Sequence, residues 1–237
     1  MKKISIVIVC LLMVTLVRAQ QVNDPNAVVK EAKNFHGIHV SNAFDVYLSQ
    51  GSEEAVAVSA SETEYRDRIK VEVKDGILRI SYDNKLKWQG NKKLKAYISF
   101  KDINSLDISG ACDVIVSGTI KTEVLVITLE GASDLKGNFV VKQNFSIDLE
   151  GASDMNVTGG SADNVTIRAS GASTFKGFDL VTNICDAKAS GASDISITVN
   201  KELSAHASGA SDVQYKGDAV MKDMKTSGAG SVSKKRS

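Results

Sequence analysis

The sequence predicts an all-β fold, a single-stranded parallel β-helix of about 20 residues per rung, and three observations carry that reading. A phrase Gly-Ala-Ser-Asp-apolar, led by a small or acidic residue, returns as Ser109 to Val114, Glu130 to Leu135, Glu150 to Met155, Ser170 to Phe175, Ser190 to Ile195 and Ser208 to Val213, with a worn copy from Ser227 to Val232. Its glycines, Gly110, Gly131, Gly151, Gly171, Gly191, Gly209 and Gly228, lie 21, 20, 20, 20, 18 and 19 residues apart. A period of that size marks a solenoid, in which each repeat buries its apolar face only against its neighbours. Before each glycine, apolar or small residues alternate with polar ones: Leu125, Ile127, Leu129; Phe145, Ile147, Leu149; Val165, Ile167, Ala169; Cys185, Ala187, Ala189; and Leu203, Ala205, Ala207. Period-2 alternation makes each stretch a strand with one face in a core and one in water. No 3.6-residue periodicity runs through the repeats.

The phrase itself reads as a corner. Glycine permits positive φ, and the aspartates Asp113, Asp134, Asp154, Asp194 and Asp212, interrupted by Thr174, can accept hydrogen bonds from turn amides. If Ala111, Ala132, Ala152, Ala172, Ala192, Ala210 and Ala229 face inward, strand parity breaks at the glycine and again at Ser-Asp, so the chain turns twice. The wall then continues at Val116, Val157, Ile197 and Tyr215, and the inward columns shrink from Leu and Ile to Ala toward the C-terminus.

Taken in order, Met1 to Ala19 has the pattern of a cleaved secretory signal: Lys2 and Lys3, an apolar run from Ile4 to Val17, and Val17-Arg18-Ala19 before Gln20. The run is short for a membrane span, so no transmembrane segment is expected in the mature chain, and export to the periplasm or the outer cell surface follows. Cys10 falls too early in the run for a lipid-attachment cysteine. Without Lys2, Lys3 and Arg18, the 29 basic residues become 26 against 28 acidic ones. A charge near −2 implies no bulk attraction to nucleic acid.

Residues 20–33 hold the only proline, Pro25, and read as a flexible leader. The ordered domain spans residues 34–232 and is followed by a basic tail, residues 233–237, whose charges discourage pairing with the open end of the sheet. Ser41-Asn42-Ala43-Phe44-Asp45-Val46 matches residues 109–114 position for position, with Asn42 replacing glycine. Asparagine tolerates the left-handed conformation, so the solenoid is expected to begin there, with at least eight corners. Asn42 and Gly110 lie 68 residues apart, which offers room for about three further rungs. Their alternating strands cover Val56 to Ser59, Ile69 to Val73, Ile77 to Tyr82 and Leu94 to Phe100. Asp75-Gly76 reads as a hairpin turn, giving an antiparallel portion near residues 69–100.

These residues resemble a known family. Phe35-x-x-Ile38-x-Val40, Asn42-Ala43-Phe44-Asp45-Val46-Tyr47-Leu48, the segment Ile69 to Ile80 and the repeated Ser-Gly-Ala-Ser-Asp are similar to the head GIN domain of auto-transporter adhesins, exported β-helical proteins common in Bacteroidetes. The resemblance covers about residues 34–232 and implies an adhesion or binding role, with no catalytic residues attached to it. The residues up to Ser237 contain no barrel-forming segment. The expectation is therefore retention in the periplasm, or surface attachment through a partner, rather than self-translocation.

The residues leave several chemistries to weigh. Carboxylates stacked every 4.8 Å could bind calcium, but the spacing is not that of the calcium-binding nonapeptide, and turn capping explains them without a metal. Glycosidase or lyase chemistry on a β-helix would use two such carboxyls, yet a repeat generates pairs of them automatically. His36, His39 and His206 make no metal site by spacing, and no cofactor is implied. Cys112 and Cys185 lie three to four rungs apart, too far for a bridge. The basic loop holding Lys87, Trp88, Lys92 and Lys93 is the candidate binding site, because tryptophan stacks on sugar rings and lysines meet acidic glycans or proteins. The reading is a non-enzymatic envelope protein that binds a glycan or a cell-surface protein. The alternatives are a carbohydrate-active enzyme on the same scaffold, and a structural envelope protein that self-associates into an oligomer.

Overall fold

The computed structural model describes residues 24–83 and 92–235. In chain order the elements are β1 (Val28–Lys30), β2 (Gly37–Asn42), β3 (Phe44–Gln50), β4 (Ala55–Ser59), α1 (Thr63–Arg66), β5 (Ile69–Lys74), β6 (Ile77–Tyr82), β7 (Leu94–Phe100) and β8 (Ser105–Gly110). The repeats follow as β9 (Asp113–Gly131), β10 (Asp134–Leu149), β11 (Asp154–Ala169), β12 (Thr174–Ala189), β13 (Asp194–Gly209), β14 (Asp212–Lys216), β15 (Val220–Gly228) and β16 (Ser231–Lys234). They wind a β-solenoid of about six turns with some antiparallel strands at one end.

Each long strand runs from one corner to the next and stacks on its neighbour in parallel register. That register puts like residues in columns. Leu78, Ile38, Leu106, Ile127, Ile147, Ile167, Ala187 and Ala205 form one such column through the core, and all eight are buried. Burying each Leu or Ile there stabilises the fold by roughly 1.5 to 3 kcal/mol.

At the corners the burial is the reverse of the sequence expectation. The alanines face solvent, whereas Ser133, Ser153, Ser173, Ser193 and Ser211 are completely buried, with Cys112 in the same place. Hydrogen bonding explains the choice. Ser173 Oγ donates to the Ser170 carbonyl at 2.8 Å, and Ser153, Ser193 and Ser211 repeat the bond to the residue three before them. An alanine at that site would leave a buried carbonyl of the turn without its donor. Strand parity therefore continues from Leu129 through Ser133 to Leu135, and the phrase forms one corner, not two.

The corner glycines all have positive φ, from 70° at Gly228 to 99° at Gly110. At Gly171 the requirement is double: φ is +82°, and a Cβ would stand 2.3 Å from the Gly151 carbonyl oxygen. The Ala172 N–H reaches that same oxygen at 2.7 Å. Asn42 holds φ +92° at the first corner, and its Oδ1 accepts the Tyr82 N–H at 2.8 Å, a bond glycine could not make.

The stretch before Gly110 does not form three rungs. Asn42 stacks directly on Gly110, so the intervening chain loops back to the far side of the first corner. There β6 pairs with β2 and β7 with β3, both parallel, which adds one rung ahead of the first phrase. The remaining strands run antiparallel: β5 on β6, β4 on β7 and β1 on β4. The β5–β6 hairpin turns at Asp75 and Gly76, with φ of +53° and +73°, as an Asp-Gly turn favours.

Candidate functional site

Because the rungs are in register, outward residues also line up, and one outward wall concentrates distinctive chemistry. Asp45, Asp113, Asp134 and Asp154 occupy four successive rungs of one column. Thr174 interrupts it before Asp194 and Asp212. Asp154 Oδ1 accepts the N–H of Thr174 at 3.1 Å, so this carboxylate caps the next rung and not its own turn. Burial, with Asp154 and Asp113 to either side, pushes the Asp134 carboxyl above its ordinary value. Burial and Asp113 do the same to Asp45, partly offset by Lys95. Among the described residues, no three His, Cys, Asp or Glu side chains are grouped to hold a metal ion.

Two residues beyond the aspartates runs a second column: Tyr97, Tyr47, Ile115, Lys136, Asn156 and Lys176. The Tyr47 and Tyr97 rings stack with centroids 5.1 Å apart and planes inclined by 14°. The Tyr97 hydroxyl donates to Asp24 at 2.9 Å, and burial together with that bond raises its pKa well above the ordinary range. Ile115, next in the column, is exposed. The wall thus offers aromatic and aliphatic surface beside a row of acceptors and two lysines.

Sequence reasoning missed this pair. The signal available was the shared pattern Phe44-Asp45-Val46-Tyr47-Leu48-Ser49 and Leu94-Lys95-Ala96-Tyr97-Ile98-Ser99, which the parallel pairing of β3 with β7 brings into register.

Of the loop residues singled out by sequence, Lys87 and Trp88 lie outside the described residues. Lys93 is exposed, whereas Lys92 is only 4% exposed. The Lys92 ammonium sits 4.3 Å from the centre of the Tyr82 ring and 5.7 Å from that of Tyr65, an internal cation–π arrangement that keeps it buried. His39 and His206 each pair with an aspartate, Asp107 at 2.8 Å and Asp223 at 2.9 Å, and the His36 ring lies over Gly76. Cys112 and Cys185 are buried free thiols. On another face, Val140, Lys142, Ser161, Asp163, Val181 and Asn183 line a shallow groove of about 300 Å³.

The family model described as "Putative auto-transporter adhesin, head GIN domain" matches residues 34–219. Among solved structures the chain is similar to a putative adhesin from Bacteroides fragilis, at 21% identity over 88% of this chain and 96% of that one, with a TM-score of 0.81. A putative adhesin from Parabacteroides merdae gives 17% identity, 89% and 95% coverage and a TM-score of 0.64. A putative lipid binding protein from Parabacteroides distasonis gives 20% identity, 90% and 98% coverage and a TM-score of 0.66. At these identities the likeness speaks for the fold. No curated protein matches the chain.

Proposed function

As the chain belongs to the head GIN domain family, we propose that it is a non-enzymatic binding module of the cell envelope whose ligand is a glycan. It is exported under the signal at residues 1–19, and the binding domain covers residues 34–232. The observation that carries the glycan reading is the Tyr47–Tyr97 stack alongside the Asp45, Asp113, Asp134 and Asp154 column. Sugars present apolar C–H faces edged by hydroxyl donors. Tyrosine supplies rigid amphipathic contact area at small entropic cost, and carboxylates accept hydroxyl hydrogen bonds at several lone pairs. A repeating polymer suits this wall, because Asp45, Asp113, Asp134 and Asp154 set a carboxylate on four successive rungs about 4.8 Å apart. Lys93, exposed just before β7, is a cation suited to acidic sugars, and Trp88 is by residue type alone a candidate for stacking on a sugar ring.

The test is a glycan array probed with the purified exported chain, together with Tyr47→Ala and Trp88→Ala. Binding by the wild type that falls in Tyr47→Ala assigns the wall, and loss in Trp88→Ala assigns the loop. A wild-type chain that binds no glycan removes the glycan reading.

A further inference from the structure

The last rung ends the solenoid on an open edge. Strand β15 pairs only with β13 among the described residues, and β16 only with β14, so each presents a free row of backbone N–H and C=O groups at the C-terminal end of the solenoid. Open ends of this kind pair with other chains unless something blocks them. Here the core columns run out into solvent. Met221 and Met224 continue the columns of Leu203 and Ala205, and Val232 that of Val213. Met224 is nevertheless 56% exposed and neighbouring Val220 62%. At the opposite end, Tyr65, Val71 and Val73 pack against the core, and none is fully exposed.

The basic tail does not block this end as its sequence suggests. The Lys234 ammonium lies 3.7 Å from Asp218, and that of Lys235 turns back over the Phe178 ring, 4.8 Å from its centre. What remains along β15 is a short charge pattern of its own. Asp223 and Lys225 flank Met224 on the outward face, where the Lys225 ammonium lies 2.8 Å from the Asp223 carboxylate and His206 meets the same carboxylate at 2.9 Å, so a self-pair would share these charges between copies; Met224 points to the core side.

We propose that β15 pairs antiparallel with β15 of a second copy of this chain, about Met224, so that two solenoids join end to end as a symmetric dimer. The occupant and the register both follow from charge. An antiparallel self-pair centred on Met224 sets Asp223 against the second copy's Lys225, and Lys225 against its Asp223. Met224 then faces Met224, which makes one core continuous with the other. Shifting the centre by one residue puts Asp223 against Asp223 or Lys225 against Lys225, and like charges directly opposite are destabilising. The arrangement is isologous, so each copy's C-terminal end is used up by the other's.

The test is sedimentation velocity of the purified exported chain over the micromolar range, with circular dichroism confirming that each variant is folded. The wild type is expected to form a dimer. Lys225→Asp sets carboxylates against each other in both pairs and should weaken association roughly tenfold. Adding Asp223→Lys restores opposite charges and should restore the dimer. Met224→Cys supplies the register: oxidation should yield a covalent dimer, because the two thiols face each other while Cys112 and Cys185 stay buried. A folded wild type that remains monomeric throughout overturns the proposal. So does a dimer indifferent to Lys225→Asp, or a Met224→Cys chain that does not cross-link.

Discussion

The Ser173 hydroxyl accepts the N–H of Ser153, one rung away, at 3.4 Å, while donating to the Ser170 carbonyl within its own corner. Ser193 repeats the relation to Ser173, and Ser133 to Cys112. These buried hydroxyls therefore close their own turns and, at three places, tie a turn to its neighbour along the solenoid axis.

Removing one link should be costly. Ser173→Ala leaves a buried carbonyl and a buried amide without their partner, and about 1 to 3 kcal/mol of stability should be lost. Ser173→Cys should cost less, because Cys112 already occupies the equivalent site. Denaturant unfolding of the two variants checks the ranking, and an alanine variant as stable as wild type would dismiss the hydroxyl column as a stabilising element.

The corner backbone should be as sensitive. Gly171→Ala meets both the left-handed φ and the Gly151 carbonyl oxygen 2.3 Å from the new Cβ. The conformational term alone is about 1 to 2 kcal/mol, and the clash adds to it. Asn42→Gly keeps an allowed φ and loses only the bond from the Tyr82 N–H, so about 1 kcal/mol should go. Melting curves of the pair should place Gly171→Ala well below Asn42→Gly.

Ile147 is fully buried between Ile127 and Ile167. Ile147→Ala should cost about 2 to 5 kcal/mol, and Ile147→Asp, which buries a charge without a partner, should prevent folding. An Ile147→Asp chain with wild-type thermal stability would contradict the register of the whole repeat.

The aspartate column makes a prediction about pH. The folded-state pKa of Asp134 is raised above 3.8 by burial and by Asp154 and Asp113. A carboxyl raised on folding binds more protons in the folded state, so stability falls as pH rises from 3.8 through the raised value. Asp134→Asn should therefore melt higher than wild type at neutral pH, and the difference should close as the pH is lowered toward 3.8. A variant less stable at neutral pH would mean that the hydrogen bonds of the carboxylate outweigh the repulsion around it.

Burial raises both thiols above their ordinary value, Cys185 in an apolar column and Cys112 in the corner. Neither should react with a thiol reagent in the folded chain, and both should react in denaturant. Fast labelling of the native chain would place at least one of them at the surface.

The sequence by itself determined the elements that depend on neighbours along the chain. Period-2 alternation made Phe145, Ile147 and Leu149 an inward row. The recurring glycine marked every later corner, Asn42 marked the first, and Asp75-Gly76 marked the hairpin. Only the tertiary structure decided which corner residue turns inward. Ala and Ser are both small, and the choice rests on a carbonyl three residues back that takes the buried hydroxyl as its donor. It also decided where the chain goes between Asn42 and Gly110. Strand sequence does not name its partner, and the pairing of β6 with β2 and of β7 with β3 is what places them ahead of the first corner. The Tyr47–Tyr97 stack arises the same way, joining residues that only the parallel register brings within reach, because each rung's hydrogen bonds run to the next rung and not along the chain.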